Sequence, residues 1–238
     1  MRCELPITHY TDCEFIMDYD FIFNSIPLYV KAAQLTLMLS FWGVLFSVVL
    51  GVICAVVEFY KVPVLKTFVK VYVEISRNTP LLIQLFFLYY GLTQFGIRLE
   101  AETCAIIGLT FLGGSYMAEA LRSGLEAVQK IQIESGLSIG LTRMQLMRYI
   151  ILPQALGVAV PSLAANAIFL MKETSVVSAI ALADLMFVAK DLIGMYYRTS
   201  EALLMLVVAY LIILLPISIL FTLLERRLRR HGLGTNNI

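Results

Sequence analysis

Four stretches of this chain run for twenty residues or more without one Asp, Glu, Lys or Arg: 32–57, 78–97, 149–171 and 202–224. About 20 apolar residues coiled as an α-helix cross the roughly 30 Å hydrocarbon layer of a bilayer. Inside that layer every backbone N–H and C=O must find a partner within the protein, so unbroken runs of this length read as membrane helices. A fifth run, 103–118, has only 16 residues and reaches a full span if Glu119 lies within the helix. A sixth, 174–183, has ten and predicts a short buried or re-entrant helix. The expected fold is an all-α membrane protein with five transmembrane helices.

Lysine and arginine set the expected orientation. Twelve fall after the first span, after the third and in the tail: Lys61, Lys66, Lys70, Arg77, Arg122, Lys130, Arg143, Arg148, Arg226, Arg227, Arg229 and Arg230. Six fall on the other side: Arg2, Lys31, Arg98, Lys172, Lys190 and Arg198. Positive charge is retained on the cytoplasmic side, which places the N-terminus outside and the C-terminus inside. The chain then divides into an extracytoplasmic segment (1–31), a five-span domain (32–224) with a cytoplasmic loop at about 126–152, and a basic cytoplasmic tail (225–238). The tail is attracted to anionic lipid by about 1 kcal/mol per charge.

Several function classes are disfavoured. A net charge of +1 gives no electrostatic case for nucleic acid. No G-x-x-x-x-G-K-[ST] run is present to cradle nucleotide phosphates. His9 and His231 sit at opposite ends, and the four cysteines show no metal spacing, so no catalytic or metal constellation is expected. Cys54 and Cys104 lie in apolar runs and are expected to pack. Whether Cys3 and Cys13 pair is open. The N-terminus lacks a basic region followed by an apolar core and a small-residue cleavage site, so no removable signal peptide is expected.

One segment breaks the membrane pattern. "ESGLSIGLTRMQLMRYIILPQAL", beginning at Glu134, mixes a glutamate, small residues and two arginines ahead of a proline-led return to apolar sequence. Helical spacing puts Met144, Met147 and Ile151 on one stripe. Ser135, Gly136 and Gly140 let another surface approach the backbone, and Gly140 can also turn the chain. Pro153 suits the first turn of a helix. Two readings stay open: an amphipathic helix lying in the headgroups, or a docking element for a partner.

The pattern E-S-G-x-x-x-G-x9-I-x-L-P resembles the cytoplasmic EAA loop of permease subunits of ATP-binding-cassette (ABC) importers. "SRNTPLLIQLFFLYYGL", "SYMAEALRSGLEAVQKIQIESG" and "LMKETSVVSAIALADLM" follow in family order and narrow the resemblance to the type I permeases for polar amino acids. It implies a coupling helix around Glu134, Ser135, Gly136, Gly140 and Arg143 that docks into a groove on an ATPase. It also implies a dimer of ATPase subunits carrying ATP and Mg, with no cofactor on this chain. A second permease (the same or homologous), an extracytoplasmic amino-acid-binding protein and a bacterial cytoplasmic (inner) membrane complete the expectation. The chain is then a transport subunit, not an enzyme. It departs from the family's Glu-Ala-Ala, since a glycine at 136 costs a helix about 1 kcal/mol relative to alanine.

Substrate-pathway candidates are the ionisable and polar groups in and beside the apolar runs, because charge in a bilayer is expensive and therefore functional by default. They are Glu119, Lys172, Glu173 and Asp184, with Thr174 and Ser175 in "MKETSVVSAI", a segment fit for a broken helix. Each has a plainer alternative. Lys172 and Glu173 can mark the end of a span, and Thr174 and Ser175 can cap the short helix. Glu119 can pair with Arg122, and Asp184 can begin an outer loop. Gln84 can face the pathway or contact another helix. Tyr89 and Tyr90 read as part of an aromatic belt. Asn166, aligned by its distance from Lys172, stands where relatives have a glutamate. An uncharged amide there favours neutral, acidic or cystine-like amino acids over cationic ones. A stand-alone ion-coupled carrier or channel is the competing reading.

Overall fold

The computed structural model describes residues 17–232, and within them the chain is helical throughout, with no strand. Cys3 and Cys13 lie outside the described residues. Eight helices follow in order: α1 (Tyr19–Phe59), α2 (Leu65–Asn78), α3 (Leu81–Gln94), α4 (Ala101–Glu126), α5 (Lys130–Ser138), α6 (Arg143–Ile180), α7 (Leu185–Tyr196) and α8 (Thr199–Gly232). Four of them, α1, α4, α6 and α8, are long and apolar enough to cross a membrane.

The expected second span is built differently. The run 78–97 yields only the 14-residue α3, about 21 Å at 1.5 Å per residue, and that is shorter than a bilayer core. The expected loop before it is a second 14-residue helix, α2. The two lie end to end, broken at Thr79–Pro80, and run antiparallel to α4. The Tyr72 hydroxyl donates to the Phe111 carbonyl (2.7 Å), and the Ser76 hydroxyl to the same carbonyl (2.8 Å). Further along, a Cβ at Gly108 would meet Leu85 and Leu81 of α3. The break therefore faces the middle of α4. Proline lacks the N–H that a continuous helix needs and forces the residue before it into extended backbone, here Thr79 at φ −115°, ψ 124°.

Helices α1, α4 and α6 form the centre. Leu39, Leu109, Met117 and Leu170 are fully buried between them, with Val177 and Ile180 from the end of α6. Ser47 donates to both Gly43 and Leu109 carbonyls, which removes the cost of burying its hydroxyl. Helix α1 begins at Tyr19, well ahead of the charge-free run, and carries Lys31 as an exposed side chain. Its start is tied to the start of α8 by Arg198, which bonds Asp18 at 2.8 Å and approaches Glu201 at 3.6 Å. At the other end Arg122 of α4 bridges Glu119, Glu126 (2.7 Å) and, more loosely, Glu58 of α1 (3.9 Å).

Asp184 does not begin a loop. It is fully buried and caps α7, accepting from the Met186 and Phe187 N–H groups at 3.2 and 3.0 Å. Burial pushes its carboxyl up to about 6, against those two bonds and the nearby Lys190 charge, which pull it down.

Candidate functional site

The break between α2 and α3 exposes backbone groups that a continuous helix would consume, and one side chain gathers them. The Gln84 amide donates to the carbonyls of Ser76 (3.3 Å) and Thr79 (3.0 Å). Its Oε1 is buried and has no partner among the described residues. Gln84 thus clasps the break.

Near the break, Tyr116 gathers side chains from two other helices. Asn166 of α6 donates to the Tyr116 carbonyl of α4 at 3.1 Å. The Tyr116 ring packs against Phe169 at 5.3 Å between centroids. Over the same ring sits the guanidinium of Arg77, the penultimate residue of α2, 5.2 Å from its centroid. Arg77 forms no ion pair among the described residues, and the nearby Glu119 is engaged by Arg122 instead. A cation over a tyrosine face is held by the ring quadrupole and keeps its donors free for something else.

Of the expected pathway residues, Asn166 contacts Tyr116, and Glu119 lies one turn further along α4, engaged by Arg122. Glu173 lies two turns from Asn166 on the same face of α6, while Lys172 points away and is exposed. Neither is paired with the other. Thr174 and Ser175 are not caps. Helix α6 passes straight into a 3₁₀ turn over Thr174–Ile180, and the buried Thr174 hydroxyl donates back to Met171 at 2.7 Å. Arg77 and Tyr116 were missed. A charge count treats every arginine as a loop marker, and nothing local shows that Arg77 ends a helix beside the core.

A second candidate element lies between the end of α4 and the start of α6. Helix α5 holds Glu134 and Ser135, both exposed, and Gly140 at φ +85° turns the chain into α6. Thr142 starts α6 with a capping box to Gln145, and Arg143 follows exposed. Gly136 does not await a partner. A Cβ there would lie 2.6 Å from Leu146 and 3.0 Å from Ile150 of the same chain, so its smallness lets α5 fold against α6. The expected stripe is also displaced. Leu146 and Ile151 are buried while Met144 is 72 % exposed. The cause is a π-helical turn at Met147–Ile151, which moves the inward face from an i+4 to an i+5 spacing. Ile131, Leu137 and Ile139 stay exposed with Met144, an apolar surface on a segment that also carries charge.

Comparison with known proteins gives the family of the chain. Residues 47–230 match the family described as binding-protein-dependent transport system inner membrane component. The chain is 38 % identical over 196 residues to the probable amino-acid ABC transporter permease protein PatM of Vibrio harveyi, covering 81 % of this chain and 88 % of the relative. It is 31 % identical over 214 residues to the glutamine transport system permease protein GlnP of Escherichia coli K12, covering 89 % and 98 %. Its fold is similar to a crystal structure of an amino acid ABC transporter with histidines, with a TM-score of 0.83, 34 % identity and coverage of 89 % and 99 %.

Proposed function

We propose, from the premise that this chain belongs to the family of binding-protein-dependent transport system inner membrane components, that it is the permease subunit of an ATP-driven importer of polar amino acids. The observation that carries the reading is the match over residues 47–230 to that family, together with relatives named as amino-acid and glutamine permeases. In this reading α2 and α3 make one broken passage, so the chain crosses the bacterial inner membrane five times, N-terminus outside and basic tail inside. An extracytoplasmic binding protein delivers the amino acid. A pair of ATPase subunits binds ATP and Mg. A second permease, identical or homologous, completes the pathway. Closure of the ATPases moves α5 and the start of α6, with Glu134, Ser135 and Arg143 on the docking side, and alternates access to the site beside Tyr116.

The chemistry of that site suits a zwitterion. Arg77 supplies free donors for a carboxylate, Asn166 supplies an uncharged amide, and Glu173 lies further along the same face of α6. An amide at 166 gives no anion to hold a cationic side chain, so neutral and acidic amino acids, or cystine, are favoured. The test is ATPase activity of the reconstituted permease–ATPase complex with its binding protein, screened across the twenty amino acids and cystine. Stimulation by one or a few polar amino acids is expected. In Asn166→Glu the preference among substrates is expected to shift toward the cationic ones by about tenfold, the worth of one added charge-assisted contact. Strongest stimulation of the unaltered protein by arginine or lysine would defeat the substrate assignment. Stimulation by none would defeat the importer reading itself.

A further inference from the structure

Far from Tyr116, where α3 ends and the chain turns into α4, a cavity of about 340 Å³ opens between Tyr89, Tyr90, Thr93, Gln94, Arg98 and Leu99. Its volume is at the small end of the range for ligand pockets and large enough to hold an amino acid. Three features build it. The helix carries a π turn over Phe87–Gly91, an irregularity frequent at functional sites because it re-aims the side chains beyond it. The Tyr89 and Tyr90 rings stand edge to face with centroids 4.8 Å apart. Gly96, at φ +82°, reverses the chain so that Arg98 returns to the tyrosine pair. Arg98 makes no ion pair among the described residues. The acids nearest in sequence, Glu100 and Glu102, do not line the cavity.

We propose that this cavity is an entry subsite that holds a free amino acid before it moves to the central site. The inference rests on the importer reading, which places this end of the helices outside. Arg98 offers paired N–H donors to the α-carboxylate. The tyrosine faces attract the ammonium group, and the Thr93 hydroxyl and Gln94 amide supply its acceptors.

The test uses the full complex in lipid nanodiscs or proteoliposomes, with the amino acid that stimulates the unaltered protein as probe. Arg98→Gln is expected to lower maximal uptake by about tenfold or more, the loss of a charge-assisted hydrogen bond. The concentration of loaded binding protein giving half-maximal uptake is expected to stay that of the unaltered protein. Arg98→Lys recovers part of the loss. Tyr90→Leu, at an exposed position tolerant of change, lowers uptake in the same way. Unchanged uptake in Arg98→Gln overturns the subsite. So does a raised half-maximal binding-protein concentration with full maximal uptake, which would make Arg98 a docking contact for the binding protein. If no amino acid stimulates the unaltered complex, the importer reading has failed instead, and the two failures are told apart.

Discussion

A variant with aspartate at both Leu137 and Ile139 is expected to enter the membrane and fold, yet to lose its ATPase partner. Both side chains are exposed, at 48 % and 78 %, so the substitution disturbs no packing inside the chain. They lie with Ile131 and Met144 on the surface around Glu134. Buried apolar anchors at the centre of an interface commonly contribute 2 kcal/mol or more each, so losing two and adding two charges predicts on the order of 100-fold weaker association. Affinity of the purified permease for its ATPase in detergent measures this. Undiminished association would mean that the 126–152 segment lies in the lipid headgroups and that the energy-coupling surface is elsewhere.

Gly51→Leu is expected to dismantle the fold from within. A Cβ at Gly51 would stand 2.5 Å from the Met117 Cβ and 2.9 Å from the Ala118 backbone nitrogen, so the clash is with atoms that cannot swing aside. Helices α1 and α4 must separate, and they carry the central core. Overpacking costs typically 1–3 kcal/mol and occasionally more, and a leucine against backbone belongs at or above about 3 kcal/mol. Thermal unfolding in detergent should show a large fall in Tm and little folded protein recovered. Gly157→Leu is the control: no atom lies within 4 Å of a Cβ there, and its Tm should stay close to that of the unaltered protein. Equal behaviour of the two variants would contradict the α1–α4 contact.

The helices were legible where one physical signal was strong and local. A charge-free run of 23 residues leaves few structures open to 149–171 or 202–224, and both became long helices. The run 174–183 was legible only in part, because it forms the 3₁₀ end of α6 over Thr174–Ile180 and not a separate helix. The second passage was only half legible. Residues 65–78 carry Lys66, Lys70, Glu74 and Arg77, and charge hid a helix whose other face, with Tyr72 and Ser76, packs on α4. The central site was less legible still. Asn166 and Tyr116 are 50 positions apart, and their contact depends on how α4 crosses α6. Gly136 and Met144 were misassigned for a shared reason. Small or apolar residues at helical spacing do not say which neighbour they face, and a π turn changes the spacing itself.

In the proposed importer this chain moves amino acids only on energy supplied by a separate ATPase. The most direct measurement is uptake of labelled amino acid into proteoliposomes holding the complete complex and binding protein, with ATP enclosed or with an imposed proton or sodium gradient alone. Accumulation with ATP, none with either gradient, and loss of the ATP-driven accumulation in Glu134→Lys is the result predicted. Uptake that persists on a gradient without ATP, unaffected by Glu134→Lys, would contradict it and identify an ion-coupled carrier.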